Sequence, residues 1–160
     1  MKKLFLVVIL AFSAIATSAL AATASGTFNV NITLTSKCEI NTENAATGAV
    51  ITDLALAYTS FQTAASTGST SFGVRCTTGE VIETMELDSA SVTDGTTGIA
   101  YTLALSTSGT HAVGPVASLT NQTAASTGTT FYVHGNAAAG QAGTVTAGTA
   151  NKVRTLTITY

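Results

Sequence analysis

The chain has 160 residues, of which six are Lys or Arg and eight Asp or Glu, so only 9% are charged, with one Pro, no Trp and Thr at about a fifth of the whole. Low charge with a mean hydropathy of +0.41 excludes ordinary intrinsic disorder. Six basic residues, two of them at positions 2 and 3, are too few for a protein that binds nucleic acid by neutralising phosphates.

The N-terminus carries Lys2 and Lys3, the apolar run Leu4 to Phe12, and small residues ending Ser18-Ala19-Leu20-Ala21. That layout predicts a secretory signal peptide over 1–21, because the apolar core is too short to span a bilayer and a small-x-small cleavage site follows it. Cleavage after Ala21 leaves four bases against eight acids. Next, Phe28, Val30, Ile32 and Leu34 alternate with Asn29, Asn31, Thr33 and Thr35, the clearest period of two in the chain. Export gives Cys38 and Cys76 an oxidising compartment, and with no Cys or His near either at ligand spacing, a disulfide is expected rather than a metal site.

Further strands are expected at Val50 to Tyr58, Thr70 to Cys76, Val81 to Asp88, Ile99 to Ser106, His111 to Leu119, Thr129 to His134 and Val153 to Tyr160. Between them lie turn clusters such as 93–98 and 136–148, the Ala-rich start of the latter allowing a helical turn over Asn136 to Ala142. Gln62-Thr63-Ala64-Ala65-Ser66-Thr67-Gly68 recurs as Gln122-Thr123-Ala124-Ala125-Ser126-Thr127-Gly128. Two copies do not make a repeat architecture, and the echo reads as a recurrent loop-to-strand segment. Short strands at this spacing predict a sandwich or barrel.

Catalytic chemistry is thinly supplied. His111 and His134 are the only histidines, read as surface or sheet residues, and no Gly-x-Ser-x-Gly elbow accompanies the many Ser and Asp. Glu80, Glu83, Glu86 and Asp88 form the densest acidic group, read as a solvated edge. Asn31-Ile32-Thr33 and Asn121-Gln122-Thr123 match the glycosylation triplet at the frequency a Thr-rich chain produces by chance. The reading is a non-enzyme with no catalytic residue, metal or cofactor.

The last expected strand runs into Tyr160 with no following strand to cover its edge, while an alternating strand stands free near the N-terminus. A strand lent by a neighbour would cover such an edge, with backbone hydrogen bonds for affinity and alternate side chains as plugs. Four large apolar residues at about 1.5–3 kcal/mol each supply the driving force, before ordering costs.

The stretch Gly26 to Cys38, then Phe72-Gly73-Val74-Arg75-Cys76-Thr77-Thr78-Gly79, Ile99 to Leu103, Gly140 to Gly143 and the terminal Leu156-Thr157-Ile158-Thr159-Tyr160 resembles the spore coat protein U domain, found in pilins of archaic chaperone-usher pili. The chain departs from that pattern in Leu54 to Tyr58, where the family often has Phe-Gly, and in lacking Trp. The resemblance implies an all-β, incomplete immunoglobulin-like β-sandwich completed by a donor strand from a neighbouring subunit. It implies a donor extension over 22–36 and a pilin domain over 37–160. Phe28, Val30, Ile32 and Leu34 would be the plugs, and Leu156, Ile158 and Tyr160 would lie on the strand that contacts a periplasmic chaperone and then the next subunit. Implied partners are identical subunits in a homopolymer, the chaperone, an outer-membrane usher, and tip or adaptor pilins. The destination is a cell-surface pilus supporting adhesion and biofilm formation, reached through the periplasm. Two other readings compete: a self-complemented secreted coat or matrix protein, and a small carbohydrate-binding module or hydrolase, for which six Phe, four Tyr and no Trp provide little cleft material.

Overall fold

A computed structural model describes residues 26–40, 51–112, 114–144 and 152–160. The expected signal peptide over 1–21, residues 22–25 of the expected donor extension and residues 145–148 of the last turn cluster lie outside the described residues. Backbone contacts divide the chain into residues 1–33 and 34–160.

The second unit is all-β, with no helix among the described residues. Its strands are β1 (Cys38–Ile40), β2 (Ser66–Cys76), β3 (Val81–Leu87), β4 (Ser91–Thr93), β5 (Ala100–Ser106), β6 (Ser118–Thr123), β7 (Thr129–Ala137) and β8 (Leu156–Thr159). They form two antiparallel sheets, ordered β1-β2-β7-β5-β4 and β6-β3-β8, around one core in a sandwich-like arrangement. Along β2, Phe72, Val74 and Cys76 are buried, and along β7, Phe131, Val133 and Ala137, the period of two expected of a sheet with one face inward. Phe72 and Phe131 sit opposite each other in the ladder, with ring centroids 6.0 Å apart. An aromatic pair of this kind contributes about 0.5–1.5 kcal/mol beyond the area it buries. From the other sheet Ile82, Met85 and Leu87 close the core.

On β3 the alternation slips, since both Ile82 and Met85 are fully buried. The ladder to β6 runs in register on either side of Glu83 and Asn121 but not through them, and Asn121 takes φ +52°. Left-handed backbone at Asn distorts the ladder locally and lets the inward phase shift by one residue. The turn between β4 and β5 is organised by Asp94, whose carboxylate accepts from the backbone N–H groups of Thr96 and Thr97 and from the Thr97 hydroxyl. These bonds, that of the Thr97 N–H first, hold its pKa below the usual carboxylate value.

Several sequence expectations are corrected. Residues 51–58 belong to no ladder among the described residues; Gly68 and Gly135, paired across β2 and β7, let Leu54 and Leu56 pack directly on the sheet. Residues 28–34, read as a strand for a neighbouring copy, form no ladder with the described residues of their own chain. The strand expected over His111 to Leu119 reduces to one bridge at Val116, and β6 begins only at Ser118. No helical turn forms over Asn136 to Ala142, since β7 runs on to Ala137 and a turn follows. The short β1 and β4 were not anticipated.

The glycine pair makes a prediction. A Cβ on Gly68 would run into the Ala55 carbonyl oxygen, and backbone cannot rotate aside as a side chain can. Gly68→Ala is expected to cost about 1–3 kcal/mol, while Gly73→Ala, with open space at its Cβ position, serves as the control. Urea denaturation of the two variants checks it, and equal midpoints would show that residues 51–58 yield without cost.

Candidate functional site

β8 is an edge strand of the smaller sheet among the described residues. Its ladder to β3 pairs Leu156 with Leu87, Thr157 with Glu86, Ile158 with Met85 and Thr159 with Thr84. The register is extended by the Asp88 N–H donating to the Thr155 carbonyl at 3.0 Å, and pinned by Arg154, which pairs with Asp88 at 2.8 Å and donates to the Ser89 carbonyl at 2.9 Å. In an antiparallel ladder backbone groups alternate between the two edges. With Thr155 bonded toward β3, the N–H and C=O groups of Leu156 and Ile158 point to the other edge, where β8 has no ladder partner among the described residues. Their side chains are half-buried against the core, and Tyr160, just beyond the strand, is 48% exposed.

A second stretch of unladdered backbone covers the same core. Residues 51–58 turn Ile51 and Leu54 to it, and are held at three points. The Thr70 hydroxyl donates to the Thr52 carbonyl at 2.7 Å, the Tyr58 hydroxyl donates to the Ala138 carbonyl at 2.7 Å, and that hydroxyl accepts from the Gln141 N–H at 2.9 Å. The segment is thus held on the sheet at Thr52 and Tyr58 without a ladder among the described residues.

Cys38 and Cys76 are bonded, as expected. They face each other across the β1–β2 ladder, and the join is reinforced by Glu39, which pairs with Lys37 at 2.5 Å and with Arg75 at 2.6 Å. The hydrogen bonds from Lys37, then from Arg75, lower the pKa of Glu39 below the usual carboxylate value. Phe28, Val30, Ile32 and Leu34 are respectively 86%, 69%, 85% and 78% exposed. Large apolar side chains exposed together in this way normally mark an interaction surface.

Sequence reasoning singled out both β8 and the alternating segment but not residues 51–58, whose alternation reads as an ordinary strand. The signal for their special role lies elsewhere, in the two glycines that stand opposite each other on β2 and β7. Comparisons with family models, with curated proteins and with solved structures give no match for the chain.

Proposed function

We propose that this chain is the structural shaft subunit of a surface pilus, assembled by the chaperone-usher route through donor-strand exchange. The observation that carries the reading is a pair of complementary defects. Among the described residues β8 has no partner on one backbone edge beside a hydrophobic core, and Phe28, Val30, Ile32 and Leu34 offer an exposed apolar face with no ladder of their own. In the proposed filament the alternating segment of one copy lies along β8 of the next, its N–H and C=O groups pairing with those of Leu156 and Ile158. Before assembly a periplasmic chaperone lends a strand to the same edge, and an outer-membrane usher exchanges it. Identical subunits form the polymer, tip or adaptor pilins join it, and adhesion and biofilm formation follow from the surface location. The chain acts here by assembly, with no chemistry performed on a substrate.

The test is made on the acceptor side. Deleting residues 156–160 is expected to abolish co-purification with the chaperone and to deplete the periplasmic subunit at least tenfold. Unchanged chaperone binding and abundance would refute the assignment of β8. Ile158→Asp refines the test, since it retains the strand's backbone while placing a carboxylate against the core.

A further inference from the structure

Away from β8, the loop 107–112 after β5 folds over the outer face of the larger sheet. Gly109 lies on the Tyr132 ring, so that a Cβ there would sit 3.3 Å from it. Loop shape is set by serine: the Ser106 hydroxyl donates to the Ser108 carbonyl, the Ser108 N–H donates to Ser106 Oγ, and the Thr110 N–H donates to Ser108 Oγ. Beneath it His134, on β7, is only 1% exposed. Tyr132 stacks parallel to its ring, with centroids 6.0 Å apart.

His134 Nε2 lies 2.9 Å from the Ser108 carbonyl oxygen. A carbonyl can only accept, so in the neutral ring Nε2 carries the hydrogen and Nδ1 is a bare lone pair. That Nδ1 is buried without a partner. The His111 ring packs on that of His134, with centroids 5.2 Å apart and the planes 72° from parallel, and its Nε2 is also buried without a partner. An unsatisfied buried nitrogen is costly, and native proteins leave few of them. Here two occur in touching rings.

A backbone carbonyl on one imidazole nitrogen, leaving the other as a fixed lone pair, is how metal-binding histidines are oriented. An ion about 2.0–2.1 Å from each nitrogen makes each arm to a ring centre roughly 3.2 Å. With both nitrogens turned to one ion, two such arms spanning 5.2 Å would meet at roughly 110°, the tetrahedral angle zinc prefers. We infer that His111 and His134 form a binding site for a divalent cation of the zinc class, held by His111 Nε2 and His134 Nδ1. Among the described residues no group of three or more His, Cys, Asp or Glu comes together, so water fills the remaining positions and affinity is below that of a four-ligand structural site. The site is independent of the strand-donation reading.

The experiment uses the untagged, disulfide-bonded full chain as exported, titrated with zinc chloride at neutral pH by calorimetry and by nitrogen NMR of the histidine rings. One ion is expected per chain, with the His134 Nδ1 resonance moving and Nε2 keeping its proton. His111→Gln is expected to weaken binding at least tenfold while the melting temperature of the zinc-free protein stays unchanged. No uptake, uptake equal in wild type and His111→Gln, or a His134 Nδ1 resonance that zinc leaves in place would each overturn the site. His134→Gln is a confirmatory variant, and if it fails to fold the His111 variant and the ring resonances decide.

Discussion

Ile32→Asp is expected to eliminate the polymer while the chaperone-bound subunit accumulates normally. Ile32 is 85% exposed and lies between Val30 and Leu34 on the same alternating face. Successive side chains on that face are about 6.6–6.8 Å apart in an extended strand, so Ile32 would enter the neighbour's core as one of four plugs. A carboxylate there would be stripped of water with no basic partner, at a cost of several kcal/mol. That is enough to reduce a filament to its subunits. Asn31→Asp, on the opposite face, adds the same charge where water remains, and should polymerise as wild type does. Electron microscopy of the cell surface, together with the periplasmic level of the complex, distinguishes the outcomes. Normal filaments from Ile32→Asp would refute strand donation. Loss of the soluble subunit would instead favour a self-complemented coat or matrix protein, because the damage would then fall within one chain.

Replacing both cysteines with serine is expected to lower stability by about 4 kcal/mol, the loop-closure value for a separation near 38 residues. At this domain size the loss corresponds to roughly 10–20 °C in Tm. Little else closes that loop to offset the loss: β1 has three residues, and its ion pairs through Glu39 lie at the surface, where such pairs contribute little. Thermal unfolding of the serine double variant, set beside the oxidised wild type, checks it. A Tm within 3 °C of wild type would mean that the β1–β2 ladder alone fixes the loop.

Much of the architecture was legible in the sequence because a sheet with one face inward writes itself as alternation. Phe72, Val74 and Cys76, or Phe131 and Val133, needed only that rule. Alternation does not say which backbone finds a partner. Residues 28–34 and 51–58 have the strand pattern and no ladder, and the reason for the second lies in glycines 13 and 79 residues further on from Ala55 and Leu56, at positions 68 and 135. The heptapeptide echo makes the same point. Ser66-Thr67-Gly68 is the start of β2, whereas Ser126-Thr127-Gly128 is a turn in which Gly128 takes φ +107°. Identical local propensities were resolved in opposite ways by what each segment packs against. The His111–His134 contact was invisible for a related reason, since 23 residues and a whole strand separate the two in the chain.

The ladder between β3 and β8 joins Thr84 to Thr159 and Leu87 to Leu156, and that between β2 and β7 joins Ser66 to Ala137. Both sheets therefore depend on contacts between residues far apart in sequence, a topology that folds in milliseconds to seconds rather than microseconds. β8 is the last of the described strands to be synthesised. Until it arrives, Met85 and Leu87 on β3 lack the neighbour that flanks them in the finished sheet. In the proposed assembly route a helper that binds early would cover β3 in that interval, and the rate at which β8 docks, as much as the final stability of the sandwich, would set how much protein escapes aggregation.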